Sequence, residues 1–269
     1  MTQEQPGPGP RFDTSVASIA RIYDYWLGGK DNFKVDREAA EAMIQQYPGI
    51  VAGVRMNRAF LGRAIHYLAA GAGIRQFLDI GTGLPSANNT HEVAQRAAPA
   101  SRIVYVDNDP IVLNHAKALL TSTAEGACAY IDADLRNTEQ ILQEAAGTLD
   151  FGQPVAVCLI MILQFVPNED DPWKITRTLM DAVPAGSYLV VAHPASDVDL
   201  EVAPALRQLS TRMGGTRALP RSHPEVLRFF DSLEMVEPGL VQLHRWRPGA
   251  GVADTGRNLA AYGGVGRKP

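Results

Sequence analysis

The chain has 269 residues and a formal net charge of −4, with 46% hydrophobic and 20% charged residues. This composition is ordinary for a globular protein and argues against extensive disorder. The small negative net charge means that the chain has no excess of basic residues, so we expect no nucleic-acid partner. The longest apolar run, 155–163, is too short to span a membrane, and the polar, Pro/Gly-rich start does not resemble a signal peptide. We therefore expect a cytoplasmic enzyme or binding protein that has no membrane partner.

Residues 15–73 predict an N-terminal helical cap, which follows a disordered tail at 1–14. Apolar side chains recur at helical spacing in its first helix, and Gly28-Gly29 ends that helix. Two more helices are expected before residue 73. In the third helix we interpret Asn57 and Arg58 as solvated.

An aromatic cluster, Tyr23-Asp-Tyr25-Trp26, lies next to these two glycines. One interpretation is a helical hairpin that packs its aromatic rings on the core. The other is a lid that presents Tyr23, Tyr25 and Asn32 to a ligand, with the glycines as a hinge. The clustering favours a site wall for the segment as a whole.

Residues 74–247 predict an α/β core with a mostly parallel, doubly wound sheet of seven strands. Its apolar runs do not alternate and are separated by helical segments, which is typical of a parallel sheet buried on both faces. The expected strands are 76–80, 102–107, 127–132, 155–163, 187–192, 234–236 and 240–246. The last two are expected to pair as a hairpin through Pro238-Gly239, and the Gly-rich segment 248–269 to form a surface tail.

Polar residues follow the carboxyl ends of these strands, where open α/β sheets bind their ligands. The first strand ends at Asp79 and runs into Gly81-Thr82-Gly83, a tight turn in which glycine lets the backbone approach a ligand closely. The second strand ends in Asp107-Asn108. A carboxylate at that position can accept hydrogen bonds from both hydroxyls of a ribose. Asp109 is better placed to cap the following helix, which leaves Asp107 free for the ligand.

The turn after the first strand also discriminates between two nucleotide cofactors. A dinucleotide site needs a third small residue and free N–H groups for its pyrophosphate. Here the third glycine is absent and Pro85 removes one N–H donor. At the end of the third strand, Asp134 can accept the amino proton of an adenine and Leu135 can pack on its ring. These features favour S-adenosylmethionine over NAD.

Contacts with a second substrate are harder to assign, because the chain shows no obvious general base. Its six histidines are scattered without a His-Glu-x-x-His pair, so we expect no metal site. The fourth strand ends in Ile162 to Gln164, and the fifth ends in His193. We assign Ile162 to the cofactor, and the candidates for acceptor contacts are Tyr23, Tyr25, Gln164 and His193.

Several motifs carry a family resemblance. They are Ile19-Ala-Arg-Ile-Tyr-Asp-Tyr-Trp-Leu-Gly-Gly-Lys-Asp-Asn-Phe33, Asn57-Arg-Ala-Phe-Leu61, Gln76-Phe-Leu-Asp-Ile-Gly-Thr-Gly-Leu-Pro85, Val104-Tyr-Val-Asp-Asn-Asp-Pro110, Ala133-Asp-Leu135, Phe165-Val-Pro167 and Tyr262-Gly-Gly-Val-Gly-Arg267. They resemble a bacterial S-adenosylmethionine-dependent methyltransferase family, long catalogued as a domain of unknown function. The resemblance spans nearly the whole chain.

This resemblance implies the seven-stranded class I methyltransferase fold with an antiparallel last strand. It also implies that Gly81 and Gly83 line the methionine part of the cofactor, that Asp107 takes the ribose, and that Asp134 with Leu135 takes the adenine. Family members often carry histidine where this chain has Gln164, so any catalytic role of that position is in question here.

We predict methyl transfer from S-adenosylmethionine to a small-molecule acceptor. Two alternatives are a catalytically silent protein that binds the cofactor as a sensor, and an NAD-dependent oxidoreductase. The turn at Pro85 speaks against the oxidoreductase.

Overall fold

The computed structural model describes residues 14–119, 121–212, 218–249 and 260–269. The predicted disordered tail therefore lies outside the described residues, apart from its last position. The described helices are α1 (Ile19–Leu27), α2 (Lys34–Gln46), α3 (Ile50–His66), α4 (Thr90–Ala97), α5 (Pro110–Leu119), α6 (Thr138–Ala145), α7 (Pro172–Asp181), α8 (Val202–Arg212) and α9 (His223–Leu227). The described strands are β1 (Gln76–Ile80), β2 (Arg102–Asp107), β3 (Ala127–Asp132), β4 (Ala156–Ile160), β5 (Tyr188–Pro194), β6 (Glu234–Met235), β7 (Val241–Gln242) and β8 (Ala261–Arg267).

The strands form one mixed sheet in the order β3-β2-β1-β4-β5-β8-β6, with β7 also beside β8. Strands β1 to β5 are parallel to one another, and β8 runs antiparallel to β5. Every residue of β1 and β4 is buried, because helices cover both faces of the sheet. The predicted α/β class and the mostly parallel, doubly wound sheet are confirmed.

The described strands number eight, and the additional strand corrects the prediction for the C-terminus. Residues 261–267 were expected in a surface tail, but they form β8, in which every residue except Arg267 is buried. Glycine explains both the error and the structure. A Cβ at Gly263 would lie 2.7 Å from Leu243 Cδ2 and 2.8 Å from Phe60 Cε2. The strand thus lacks the apolar pattern of a buried strand because its neighbours fill that space.

The predicted hairpin of the last two strands is also wrong. β6 and β7 do not pair with each other; each is antiparallel to β8, through Met235 opposite Gly266 and Val241 opposite Gly263. The reason is that β8, which comes later in the chain, lies beside β5 and offers its free edge to both short strands.

The cap consists of α1 to α3 and has an apolar core of its own. Ile22 and Trp26 of α1 pack with Met43 of α2 and with Leu209 of α8. One polar tie joins the first two helices: Arg21 Nε donates to Asp36 Oδ2 at 2.7 Å, and both side chains are almost fully buried. The cap is therefore tied to the body of the protein through α8 as well as through the chain.

Candidate functional site

The glycine turn after β1 closes tightly against two neighbouring strand ends. Gly81 has a φ of +78°, and a Cβ there would lie 2.6 Å from Ile162 Cγ1. Gly83 has a φ of +65°, and its N–H donates to Asp107 Oδ2 at 2.9 Å. The carboxylate at the end of β2 thus holds the backbone of the turn in place.

Asp107 still has hydrogen-bonding capacity after these contacts. Its Oδ1 accepts the Asp109 N–H at 3.0 Å, while Oδ2 accepts from Gly83. Each carboxylate oxygen has a second lone pair, so both can accept one more donor. Burial raises the pKa of Asp107, and its backbone hydrogen bonds oppose this. Asp109 caps α5 through the Ile111 N–H, at 2.9 Å, as predicted.

Asp79, at the end of β1, is 5% exposed. Its Oδ2 accepts a hydrogen bond from Thr90 Oγ1 at 2.6 Å. Burial raises the pKa of Asp79 to about 6, which the Thr90 bond and the Arg58 guanidinium partly oppose. A cation that approaches such a buried carboxyl stabilises its ionised form, because the negative charge then has a partner.

Asp134 is more strongly paired than the sequence suggests. Arg136 Nη1 lies 3.0 Å from both of its carboxylate oxygens, and Asn108 Nδ2 donates to Oδ2 at 3.3 Å. Leu135, next to it, is 6% exposed. This strand end thus offers a carboxylate shared with Arg136, beside an apolar side chain.

These strand ends open into one cavity of about 910 Å³. All the residues predicted to bind the cofactor line it, namely Asp79, Gly81, Thr82, Gly83, Asp107, Asn108, Asp134, Leu135 and Ile162. The opposite wall comes from α1, α2, α3 and α8. The cavity therefore runs without interruption from the sheet to the cap.

Of the candidates for acceptor contacts, Tyr23 and Gln164 line this cavity. The Tyr23 hydroxyl accepts a hydrogen bond from Asn57 Nδ2 at 2.7 Å, and burial raises its pKa. Gln164 Nε2 donates to the Met161 carbonyl at 2.7 Å. β4 ends at Ile160, earlier than predicted, and Met161 has a φ of +55°. Gln164 therefore lies in a short 3₁₀ helix, Leu163–Phe165, beyond the end of the strand.

Tyr25 does not line the cavity, contrary to the prediction. Positions 23 and 25 lie on nearly opposite faces of a helix. The Tyr25 hydroxyl instead hydrogen-bonds to Glu41 of α2, and this bond raises the pKa of Tyr25. Its contact joins two cap helices.

His193 also lies away from the cavity, although its neighbour Pro194 lines it. Successive residues of a strand point to opposite faces of the sheet, and His193 points to the far side. There its Nδ1–H donates to the Pro194 carbonyl at 2.8 Å, and its Nε2 accepts from Arg221 at 3.0 Å. Burial lowers the pKa of His193 to about 3, so the ring is neutral and structural.

Two cavity residues were misjudged from the sequence as solvated. Asn57 is 4% exposed and bonds Tyr23. Arg58 Nη2 donates to the carbonyls of Ala87 and Asn88, both at 3.0 Å, beyond the turn after β1. Both residues belong to a motif that carried the family resemblance, and this was the available signal.

The comparisons with known proteins identify the family. The model of a family described as S-adenosyl methyltransferase matches residues 5–269, nearly the whole chain. The chain belongs to the S-adenosyl methyltransferase family. It is an S-adenosylmethionine-dependent methyltransferase.

Two solved structures resemble this methyltransferase along almost its full length. A DUF574 family protein from Streptomyces avermitilis is 47% identical, with a TM-score of 0.92 over 96% of this chain and 100% of that one. A candidate methyltransferase from Thermobifida fusca is 36% identical, with a TM-score of 0.86 over 98% and 99% of the two chains. A comparison with curated proteins returned no match.

A more distant structure shares the fold alone. The plantazolicin methyltransferase BpumL, solved with S-adenosylhomocysteine and a triazolic desmethyl analogue, is 8% identical. Its TM-score is 0.54 over 93% of this chain and 96% of that one. The methyltransferase therefore has the class I fold that the resemblance implied.

The residues of the cavity fit S-adenosylmethionine. Asp79 and Asp107 are carboxylates of the kind that its cationic groups and its ribose need, and its own carboxylate needs donors. The residues that line the cavity leave four buried side-chain atoms without a hydrogen-bond partner: the donors Arg58 Nε and Ser86 Oγ, and the acceptors Asn57 Oδ1 and Gln164 Oε1. In the described ranges, no cluster of three or more His, Cys, Asp or Glu side chains could hold a metal, and no helix is long and apolar enough to cross a membrane.

Proposed function

We propose that the methyltransferase transfers the methyl group of S-adenosylmethionine to a small molecule held between the strand ends and the cap. The observation that carries this proposal is the single continuous cavity. Its volume of about 910 Å³ is near the upper end of the range of about 300–1,000 Å³ for small-molecule sites. It is therefore large enough for a cofactor with a compact acceptor beside it.

We assign the cofactor to the sheet side of this cavity. Asp107 binds the ribose hydroxyls with its remaining lone pairs. Leu135 and Ile162 pack on the adenine, and Asn108 and Asp134 contact its polar edge. The glycine turn with Thr82 and Asp79 holds the methionine part, where the Asp79 carboxylate faces positive charge.

The chemistry asks little of the protein beyond alignment. S-adenosylmethionine supplies an activated methyl group, which bonds to the acceptor's lone pair as the carbon–sulfur bond breaks and sulfur keeps its electron pair. The methylated acceptor gives up its proton to the solvent once it leaves the cavity. Tyr23 and Gln164 orient the acceptor opposite the turn, and the cap excludes bulk water; orientation alone supplies a large part of such a rate enhancement.

Isothermal titration with S-adenosylmethionine and with NADH tests the cofactor site. We expect heat with S-adenosylmethionine and none with NADH. The variant Gly81→Ala places a methyl group against Ile162. It should weaken S-adenosylmethionine binding by about tenfold or more, because the glycine turn and Ile162 must both shift. Gly73→Ala is the matched control: Gly73 also has a positive φ, of +75°, but a Cβ there meets nothing within 4 Å. Equal affinity of both variants for the cofactor would contradict the assignment.

The nature of the acceptor is tested by following S-adenosylhomocysteine formation with pooled acceptors. One set of pools holds compounds of low mass, and the other holds peptides and folded proteins. We expect turnover with the low-mass pools. Turnover confined to the peptide and protein pools would contradict a small-molecule acceptor.

A further inference from the structure

The cap side of the cavity forms a chamber with its own chemistry. We call it the acceptor chamber and define it by Tyr23, Trp26, Tyr47, Asn57, Gln164 and Leu209. Three of these six side chains are aromatic, and aromatic walls favour flat ring systems that stack on or pack edgewise against them.

The acceptor chamber offers little to a charged ligand. Among the described residues that line the cavity, the cap helices contribute two charged side chains, Asp24 and Arg58, and the segment after Gln164 adds Glu169, which is exposed. Asp24 Oδ2 already accepts the Asp31 N–H and Asn32 Nδ2, both at 2.9 Å. Arg58 reaches the turn on the cofactor side, and α8 lines the cavity with apolar side chains alone. A charged acceptor would lose its hydration without gaining a partner.

Gln164 presents a fixed hydrogen-bond acceptor to this chamber. The side chain is 6% exposed, and its Nε2 is committed to the Met161 carbonyl at 2.7 Å. The reversed amide would set two carbonyl oxygens against each other, so the orientation is determined. Its Oε1 is therefore the atom left for the chamber, and it is buried without a partner.

Asn57 repeats this arrangement from the cap. It is 4% exposed, and its Nδ2 donates to the Tyr23 hydroxyl at 2.7 Å. That hydroxyl in turn points its proton to the Val54 carbonyl at 3.4 Å. Asn57 Oδ1 is buried and unpartnered, like Gln164 Oε1. Unpaired buried oxygens of this kind call for a donor from a ligand or water.

We propose that the methyl acceptor is an uncharged aromatic compound with at least two hydrogen-bond donors, hydroxyl or N–H groups, which Gln164 Oε1 and Asn57 Oδ1 bind. This inference rests on the proposed function and narrows it. One donor group carries the atom that is methylated, and the other fixes the orientation of the ring. A product methylated on its hydroxyl has lost that donor and leaves one of the two amide oxygens unpaired, which favours its release.

The test uses naphthalene derivatives as probes, titrated into enzyme saturated with S-adenosylhomocysteine so that the cofactor side is filled. The uncharged probes are the isomeric dihydroxynaphthalenes and their dimethoxy counterparts. The charged probes are naphthoic acid and naphthylmethylamine. We expect at least one diol to bind about tenfold or more tightly than its dimethoxy ether, because the ether leaves buried oxygens unpaired.

Two variants test whether the preference for the diol over its ether arises in the acceptor chamber. Gln164→Met keeps the length of the side chain but removes the oxygen, and it should lower the preference for the diol over its ether. Gln140→Met changes an exposed glutamine outside the cavity and should leave that preference unchanged. The comparison of diol with ether on the unaltered enzyme needs no variant, so a folding defect in Gln164→Met does not affect it.

Four outcomes would overturn the inference in whole or in part. Equal affinity for diols and ethers, or tighter binding of a charged probe, contradicts the proposed acceptor class and leaves small-molecule methylation standing. An unchanged preference in a folded Gln164→Met variant removes Gln164 from the assignment. If no probe binds while the low-mass pools still give S-adenosylhomocysteine, the aromatic class is wrong; if these pools are also silent, the proposed function fails with it.

Discussion

Arg58 lies on α3 of the cap, yet its side chain reaches the turn after β1. Its Nη2 is held by the Ala87 and Asn88 carbonyls, and its Nε is buried without a partner at the cavity. The guanidinium is also close enough to Asp79 to lower the pKa of that carboxyl. We infer that Arg58 binds the carboxylate of the cofactor's methionine part.

The first prediction concerns Arg58→Met. It should weaken S-adenosylmethionine binding by roughly 10- to 100-fold, the usual loss for a hydrogen bond to a charged group. Methylthioadenosine lacks the amino-acid part, so its affinity should not change. Arg55→Met, which alters an exposed arginine on the same helix, is the matched control. Isothermal titration measures all these affinities, and an equal loss for both ligands would show that Arg58 acts on the fold instead.

The second prediction is a pH dependence that comes from Asp79. Its pKa of about 6 means that the carboxyl is neutral below that pH and charged above it. Since a cationic ligand favours the charged form, affinity for S-adenosylmethionine should be about tenfold weaker at about pH 5 than at about pH 7.5. Binding measured across this range by fluorescence or calorimetry checks the sign.

The Asp79→Asn variant should bind S-adenosylmethionine weakly, and its affinity should change less with pH. Asp107 faces the same space, and burial raises its pKa too, so a profile that persists unchanged in the variant would assign the titration to Asp107.

At the scale of elements, polar contacts hold the first turn of α1 to α2 and to the start of α5. Ser18 Oγ donates to Asp109 Oδ2 at 2.8 Å, which joins the start of the helix to the residue that caps α5. Asp36 of α2 accepts from Arg21, from the Ser18 N–H at 2.9 Å and from the Phe33 N–H at 2.8 Å. The helix that carries Tyr23 and Trp26 is thus positioned by polar contacts as well as by packing.

The third prediction follows from the burial of the Arg21–Asp36 pair. Asp36→Asn leaves a buried guanidinium without its counter-charge, and it should lower the free energy of unfolding by about 3–5 kcal/mol. Glu38→Gln on the same helix breaks the exposed Lys34–Glu38 pair and should cost less than about 1 kcal/mol. Urea denaturation compares the two variants; losses of equal size would refute the role of burial.

At the scale of the whole molecule, β8 completes the sheet from the far end of the chain. It pairs with β5 along its whole length and with β6 and β7 on its other edge. Phe60 of α3 and Leu243 lie directly over Gly263, so this strand also packs against the last helix of the cap.

The fourth prediction contrasts two glycines. Gly263→Ala should destabilise the protein by about 1–3 kcal/mol, because its new methyl group overlaps Leu243 and Phe60 and the core must shift. Gly62→Ala lies in α3, where a Cβ meets nothing within 4 Å, and it should stabilise by about 0.5–1 kcal/mol through better helix propensity. Thermal and urea unfolding provide both values; a tolerated Gly263→Ala would mean that β8 is loosely packed.

The sequence predicted what short-range patterns encode. Mostly apolar runs predicted β1, β2 and β3 with the bounds that the structure has, since strands of a parallel sheet that is covered by helices are rich in apolar residues. Glycines and acids at strand ends located one wall of the cavity, because the carboxyl ends of parallel strands share one edge of the sheet.

Tertiary structure decided which side chains meet. The choice of Tyr23 over Tyr25, the exclusion of His193 and the reach of Arg58 to Asn88 all depend on how elements far apart in the sequence are oriented against one another. β8 was missed for the same reason: its glycines leave room for side chains from distant parts of the chain, such as Phe60 of α3 and Leu243, which no local pattern reveals. Periodicity specifies the face an element buries, whereas the partner on that face, and the buried polar atoms left over for a ligand, are determined only when the whole chain packs.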